Sequence, residues 1–368
     1  MAIDWSDLTR RDKLTFQMVS PTNLNQSYGN LECVDLSGST LSAAYYSDTR
    51  TSGTLRIVGG NWRRGSMVRV IHEVPEWGYK RELGTYIVTD DPATYENGVW
   101  VTELELHSKL YGLSLDKHVR PWTIAKNARA LKAMEDSLKS AKCPYRKIGS
   151  VKDSTYKSAK VIESGTTRLS VLFTLANAAK NRLNVDGHGY VTIEPYVTPA
   201  SKTASYRIDL ASPRGVTLDG VRRSTDWLQL PAVSAGSFKH TTTKNGKSTQ
   251  TEITGTARVS SNSHQAYTQR GYTVVNFRSI SNLSPATAAR ANEVAASDLK
   301  ADSRELVEWE LETTYLPIWA GDVVTLAVHD GEYRGNRKCL VKSLDLELEH
   351  MTMRLTLKET SAGTKGDT

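Results

Sequence analysis

Long apolar runs are missing from this 368-residue chain. No stretch approaches the roughly 20 residues a helix needs to cross a bilayer, so no membrane span is expected. Cysteine is scarce as well. Cys33, Cys143 and Cys339 are odd in number and far apart, which argues against a disulfide framework or a zinc knuckle and leaves buried or half-buried free thiols. The opening Met1-Ala-Ile-Asp-Trp-Ser-Asp7 has no basic region followed by an apolar core, so no secretory signal is expected. Catalytic signatures are lacking too: there is no nucleophile elbow, no phosphate-cradling loop and no dinucleotide fingerprint. His72-Glu73-Val-Pro75-Glu76 carries half of a zinc-helix pattern, but the second His is missing and Pro75 would break the helix. His188 and His329 lie near glycines in expected turns and read as surface imidazoles. Asp90, Asp91, Asp298, Asp302 and Glu305 are carboxylates of loops and caps, and their separation in space is not visible in sequence. No catalytic residue, metal ligand or cofactor is nominated, and the chain reads as a non-enzyme.

The formal charge of +7 raises the question of nucleic acid. Its basic residues are scattered (Arg10, Arg11, Arg63, Arg64, Lys126, Arg129, Lys132, Arg222, Arg223), with no helix or aromatic sheet that concentrates them for base stacking. A solvated surface accounts for them. The acids are more ordered. Glu308, Glu310 and Glu312 alternate with Val307, Trp309 and Leu311; Asp345, Glu347 and Glu349 alternate with Leu344, Leu346 and Leu348; Glu103 and Glu105 oppose Leu104 and Leu106. Such strands bury one face and keep the other wet. If the wet faces line a channel, their charge repels phosphate; a plain solvent-facing sheet carries the same pattern.

Ser284 and Pro285 read as an N-cap and first helical position, and Ala288, Ala291, Val294, Ala295 and Leu299 continue one helical face to about Asp302. A strand, a Trp319-Ala-Gly321-Asp turn and three further strands follow. The same plan occurs earlier in the chain. Trp62-Arg-Arg-Gly65 is followed by a strand, a polar loop at Trp77 to Glu82, a strand at Leu83 to Thr89 and a last alternating strand at Val99 to Leu106. Four elements repeated in order point to two related antiparallel β domains.

Between them, Ile124, Ala128, Leu131, Met134 and Leu138 recur at helical spacing, as do Leu169, Leu172, Phe173, Ala176 and Ala179 over about Thr167 to Arg182. Asp186-Gly187-His188-Gly189 is a hairpin turn leading to Tyr190–Ile193. The fold class expected is therefore α+β and mainly antiparallel β: a first β-barrel domain at 1–112, an inserted α+β domain at 113–203 and a second barrel domain at 204–360, with a flexible tail at 361–368. Residues 1–8 read as a flexible or docking arm, and Ser20 to Asn30 as a loop. The polar segment Gly236 to Gly255 centres on Lys244-Asn245-Gly246-Lys247 and is expected to be a projecting hairpin, either a partner-docking element or a mobile arm.

In Glu82-Leu-Gly-Thr-Tyr-Ile-Val88, Asn184-Val-Asp-Gly-His-Gly-Tyr-Val-Thr-Ile193 and Ala320-Gly-Asp-Val-Val-Thr-Leu326, and in the order of its elements from about Thr9 to Glu359, the chain resembles the hub proteins of phage tails and baseplates. That resemblance implies two tube-like barrel domains per chain and a homotrimer whose six barrels match the sixfold tail tube. It further implies a distal tail or tube ring protein above, and a fibre, spike or tape-measure protein below. DNA would pass through without sequence-specific contact, past the lumen-facing candidates Glu103, Glu105, Glu308, Glu310, Glu312, Asp345, Glu347 and Glu349. The expected location is the virion tail tip, after synthesis in the host cytoplasm. Two other readings stay open: a tail-associated cell-wall hydrolase, disfavoured because the chain ends within ten residues of Lys358, and a hexameric distal tail ring with one barrel per chain.

Overall fold

Alternating burial builds most of the structure. The computed structural model describes residues 5, 7, 9–60, 62–156, 159–211, 216–218, 220–225, 230–244, 247–263, 265–279, 287–302, 307–329 and 331–360. The first strands are β1 (Lys13–Val19), β2 (Ser27–Asn30), β3 (Val34–Ala44), β4 (Thr51–Val58), β5 (Met67–Val74), β6 (Tyr79–Asp90), β7 (Ala93–Glu96) and β8 (Val99–His107). Next come α1 (Lys109–Leu115), β9 (Trp122–Ile124), α2 (Ala130–Ser140), β10 (Tyr145–Lys147), β11 (Lys160–Ile162), α3 (Arg168–Ala178), β12 (Asn181–Val185) and β13 (Val191–Pro195). The remainder is β14 (Tyr206–Asp209), β15 (Arg222–Thr225), β16 (Val233–Lys244), β17 (Lys247–Arg258), α4 (Tyr267–Arg270), β18 (Val275–Ser279), α5 (Ala288–Asp302), β19 (Val307–Thr314), β20 (Val323–Val328), β21 (Gly335–Glu347) and β22 (Thr352–Glu359). The chain divides into two compact units: Met1–Val221 with Glu310–Thr360, and Arg222–Trp309.

The repeated plan appears as strand order. Neighbours in the first set run β4-β8-β6-β5-β1, and in the second β19-β22-β21-β20-β14. Corresponding places are held by the strands that follow Gly65 and Gly321, β5 and β20. The pairs β8–β6 and β6–β5 are antiparallel, as are β22–β21 and β21–β20, but β1 is antiparallel to β5 whereas β14 is parallel to β20. The expected pair of separate barrels is not seen. Among the described residues the strands follow an open path with no barrel closed, and both sets belong to one continuous sheet. The join is β21, whose 13 residues pair with β20 through Gly335–Leu340 and with β3 through Ser343–Glu347. A strand of that length has backbone donors and acceptors to spare after its first partner ends, and β3 takes them.

The segment between the sets has its own core, in which Leu110, Leu113, Met134, Leu138, Leu172, Leu175, Leu183 and Ile193 are buried. Each such side chain contributes about 2 kcal/mol of transfer free energy. The helix expected to start near Ile124 starts later. Trp122–Ile124 is a strand, Asn127 takes a left-handed φ of 66°, and the Asp153 carboxylate accepts from the Leu131 amide at 3.0 Å, capping α2. Thr167 caps α3 by accepting from the Ser170 amide. Ser20 to Asn30 is not wholly loop, because β2 pairs with β1. Nor does the N-terminal arm hang free at Trp5: its ring is buried edge-on against Trp77, Tyr79 and Tyr315.

In the second unit the hairpin is longer than its polar centre suggests, pairing from Val233↔Arg258 to Lys244↔Lys247. Its base is also covered. β18 runs parallel to β16 over Val233–Ser237, and Gly255 brings β17 so close to α5 that a Cβ there would sit 2.1 Å from the Ala291 carbonyl carbon. Asn292 Oδ1 accepts from the Thr256 amide at 2.8 Å. Asn245, Gly246, Ser284, Pro285, Glu305 and residues 361–368, named in the sequence reading, lie outside the described residues.

Candidate functional site

Two regions of the larger unit collect the residues singled out in the sequence. The first is the wet face of the sheet. Residues directly opposite one another share a face, and two rows of them cross five strands. One row is His107, Ser52, Ser42, Asp345 and Arg354; the other is Glu105, Thr54, Thr40, Glu347 and Thr352. Glu103 stands opposite Arg56, and Glu312 meets Arg354 at 3.5 Å. Acids some 240 residues apart in sequence, Glu105 and Glu347, are thus brought onto one surface by β3 and β4. Glu310 keeps the outward alternation on β19 beside buried Leu311, and in the smaller unit Glu308 alternates with buried Val307 and Trp309.

The surface is less uniformly acidic than the alternation implied. Ser42 Oγ donates to Asp345 at 2.6 Å, Thr352 Oγ1 donates to Glu347 at 2.9 Å, and His107 Nε2 lies 2.9 Å from Glu105. Arg56 bridges Asp35 at 3.4 Å and Glu96 at 3.1 Å. Cations and hydroxyls on β3, β4 and β22 therefore offset part of the negative field. Glu347, Glu349 and His350 place their ligand atoms within 4.8 Å of one another at an open turn. All three are exposed there, and such a group is common on surfaces that bind no ion.

The second region joins the three motifs that stood out in sequence. A cleft of about 210 Å³ is lined by Arg81 to Thr85 of β6, Asn184 to Gly187 of the β12–β13 hairpin, and Trp319, Ala320 and Asp322 of the turn before β20. The hairpin seats against β6 without room for a side chain. A Cβ at Gly187 would lie 2.5 Å from the Glu82 carbonyl oxygen, and one at Gly189 (φ +90°) 2.9 Å from Thr85 Cβ. Thr85 Oγ1 donates to the Gly187 carbonyl at 2.7 Å, and His188 Nε2 lies 3.0 Å from Glu82. Arg69 ties this together from below: it is buried, and it donates to Thr85 Oγ1 at 3.1 Å, the His188 carbonyl at 3.2 Å and the Leu24 carbonyl at 2.7 Å. Those carbonyls supply the partners a buried guanidinium requires. Arg69 was not singled out in sequence, although a lone cation on the otherwise apolar Met67-Val-Arg-Val-Ile71 was the available sign.

His72, read as an ordinary strand residue, is fully buried. Its Nε2 meets Asp12 at 2.7 Å, and its ring lies edge-on to Tyr315 with centroids 4.4 Å apart. Tyr315 in turn shares a hydrogen bond with Tyr79 at 3.0 Å, and burial pushes its phenol far above the ordinary range. His329 is an exposed imidazole paired with Asp209 at 2.7 Å. Cys143 and Cys339 are buried free thiols, raised by burial to about 11 and about 12, but Cys33 is exposed, contrary to expectation. Among the described residues no helix is long and apolar enough to cross a membrane.

No protein-family model matches the sequence, and no curated protein does. Solved structures do match. A tail protein from Neisseria meningitidis MC58 aligns over 94% of this chain and 96% of its own, with TM-score 0.64 and 11% identity. The 43 kDa tail protein of prophage MuSo2 from Shewanella oneidensis aligns over 96% and 99%, with TM-score 0.62 and 13% identity. A chain of the Francisella PdpA-VgrG complex aligns over 98% of this chain but 55% of its own, with TM-score 0.56 and 11% identity. The fold is that of phage tail proteins.

Proposed function

We propose that this chain, built on the fold of phage tail proteins, is a structural hub of a phage tail or of a related injection device. Three copies would form a ring in which the two strand sets of each chain act as six similar positions. The observation that carries this reading is the five-strand order that occurs twice, β4-β8-β6-β5-β1 and β19-β22-β21-β20-β14. A threefold assembly of a duplicated unit can present sixfold contacts to a tube above it. The likeness to tail proteins along nearly the whole chain supports the setting.

In this assembly each strand set would complete its tube only with neighbouring copies, in keeping with the open strand path of the single chain. The wet face bearing Glu103, Glu105, Glu310, Glu312, Asp345 and Glu347 would look toward the lumen, with Glu308 and Glu349 at its margins. Carboxylates there would keep DNA from sticking as it passes, and Arg56 and Arg354 would hold them in register. The hairpin that ends at Lys244 and Lys247 would reach a neighbouring tail component. The role is non-enzymatic, and the tail tip is the expected site. Native mass measurement of the protein assembled on its particle, together with an image that locates it, tests the reading. Three copies around the axis are expected; six copies, or a position outside the tail, would overturn it.

A further inference from the structure

A second cleft, apart from the motif junction, has the makings of an anion site. It measures about 360 Å³ and lies between the β3–β4 loop, α3 and β12. Its walls include Tyr45, Tyr46, Phe173 and Tyr196, and two arginines, Arg50 and Arg182, open into it. The two guanidinium groups are held differently. Arg50 donates to the Tyr45 carbonyl and, at 3.4 Å, to the Leu183 carbonyl, with its head over the Phe173 ring. Arg182 lies 3.8 Å over the Tyr45 ring and its Nη1 packs against the turn at Gly321; among the described residues its side chain has no hydrogen-bond acceptor and no carboxylate within 4.0 Å. A guanidinium held by ring stacking and packing, without a hydrogen-bond partner, keeps donors of its planar fork available for a ligand.

Charge around the cleft limits what can enter. Burial and the neighbouring Arg182 lower Arg50 to about 10, so the two cations repel each other across the cleft and a negative ligand between them relieves that repulsion. Burial lowers Arg182 as well, while Glu194 lies near enough to support both charges and Asp48 supports Arg50. Lys202, half-buried beside Arg182, adds a third cation, so three cations face two carboxylates; that excess accommodates one negative charge and opposes a polyanion. The aromatic walls add an apolar surface beside the charged pair.

We propose that this cleft binds the carboxylate of an acidic side chain, flanked by an apolar residue, on a peptide segment of a partner protein. Arg182 would grip the carboxylate through two parallel N–H···O bonds, the geometry that distinguishes arginine from lysine. Arg50 would act as a fixed positive charge behind it. The site is independent of how many copies the assembly contains.

The test uses the full-length protein and four probes: acetyl-leucyl-glutamate amide, its glutamine counterpart, inorganic phosphate and single-stranded oligothymidylate. Binding is followed by calorimetry and by the arginine side-chain NMR signals. The glutamate probe should bind at least about tenfold more tightly than the glutamine probe, a difference of roughly 1.4 kcal/mol, and should shift the Arg182 side-chain signal. Arg182→Gln should abolish that preference, and Arg182→Lys should leave it weakened. Glu194→Gln, which removes a competing acid, should tighten glutamate binding about two- to threefold, and it keeps the question open to decision if the arginine variant does not fold. Equal binding of the two dipeptides, or unchanged affinity in Glu194→Gln together with either arginine variant, would overturn the site. Tighter binding of phosphate or of oligothymidylate would overturn its assignment to a peptide carboxylate.

Discussion

Gly65 and Gly321 precede corresponding strands in the two five-strand sets, and both hold left-handed φ values, +80° and +98°. Their surroundings differ. Around Gly65 nothing lies within 4 Å of a notional Cβ, whereas at Gly321 that atom would meet the Tyr45 ring at 2.9 Å and Arg182 Nη1 at 3.1 Å. The turn of the first set faces open space. The turn of the second is packed against the β3–β4 loop and against β12 of the inserted segment, and Trp319 beside it lies 5.9 Å from Arg81 of the first set. Equivalent turns have therefore been put to unequal use. Strand order is a property of each set, while the second set's turn adds contacts to the first set and to the insert that the first set's turn lacks.

The largest effect is expected where that contrast is greatest. Gly321→Ala adds a clash to an unfavourable φ and should cost about 3 kcal/mol in urea unfolding, against about 1 kcal/mol for Gly65→Ala, where only the left-handed conformation is penalised. Equal losses would break the contrast. Next is the contact between the sets in which Asp12 holds the His72 ring edge-on against Tyr315. Burial opposes the Asp12 charge, but hydrogen bonds from His72 and Arg10 outweigh it and leave the folded pKa below the ordinary 3.8. A lowered carboxylate stabilises the fold above its unfolded value and loses that contribution as pH falls through the folded one. Asp12→Asn should therefore cost about 2 kcal/mol at neutral pH and progressively less as pH falls below 3.8 through the folded value, and a stability profile parallel to that of the parent chain would show that the link is not electrostatic. The smallest effect is expected on the wet face. Glu105→Gln alters an exposed pair with His107 and should change stability by less than about 0.5 kcal/mol; a larger loss would mean that this pair supports the sheet.

Much of the strand content was readable because half-buried strands write their burial as a period of two. β19, β21 and β22 show it in Val307 to Leu311, Leu344 to Leu348 and Met353 to Leu357. The hairpin after α3 was readable from the chemistry of its Asp-Gly turn. Ile124 to Ala128 misled, because apolar spacing that fits a helix says nothing of the Asp153 cap, which starts α2 later. The burial of His72, Arg69 and Trp5 was hidden for a related reason. Each is placed by partners distant in sequence: Asp12 and Tyr315 for His72, His188 for Arg69, and Trp77, Tyr79 and Tyr315 for Trp5.

By itself the sequence determined many of the strands, the wet side of β8, β19, β21 and β22, and that a plan of turn and strands occurs twice, since these follow from local periodicity and turn residues. Only the tertiary structure decided that β21 hands its free edge from β20 to β3, so that two expected rolls become one open sheet with its acids in common rows. Strand pairing is made by backbone groups that all residues share, and its choice of partner rests on contacts across hundreds of residues that no local pattern encodes.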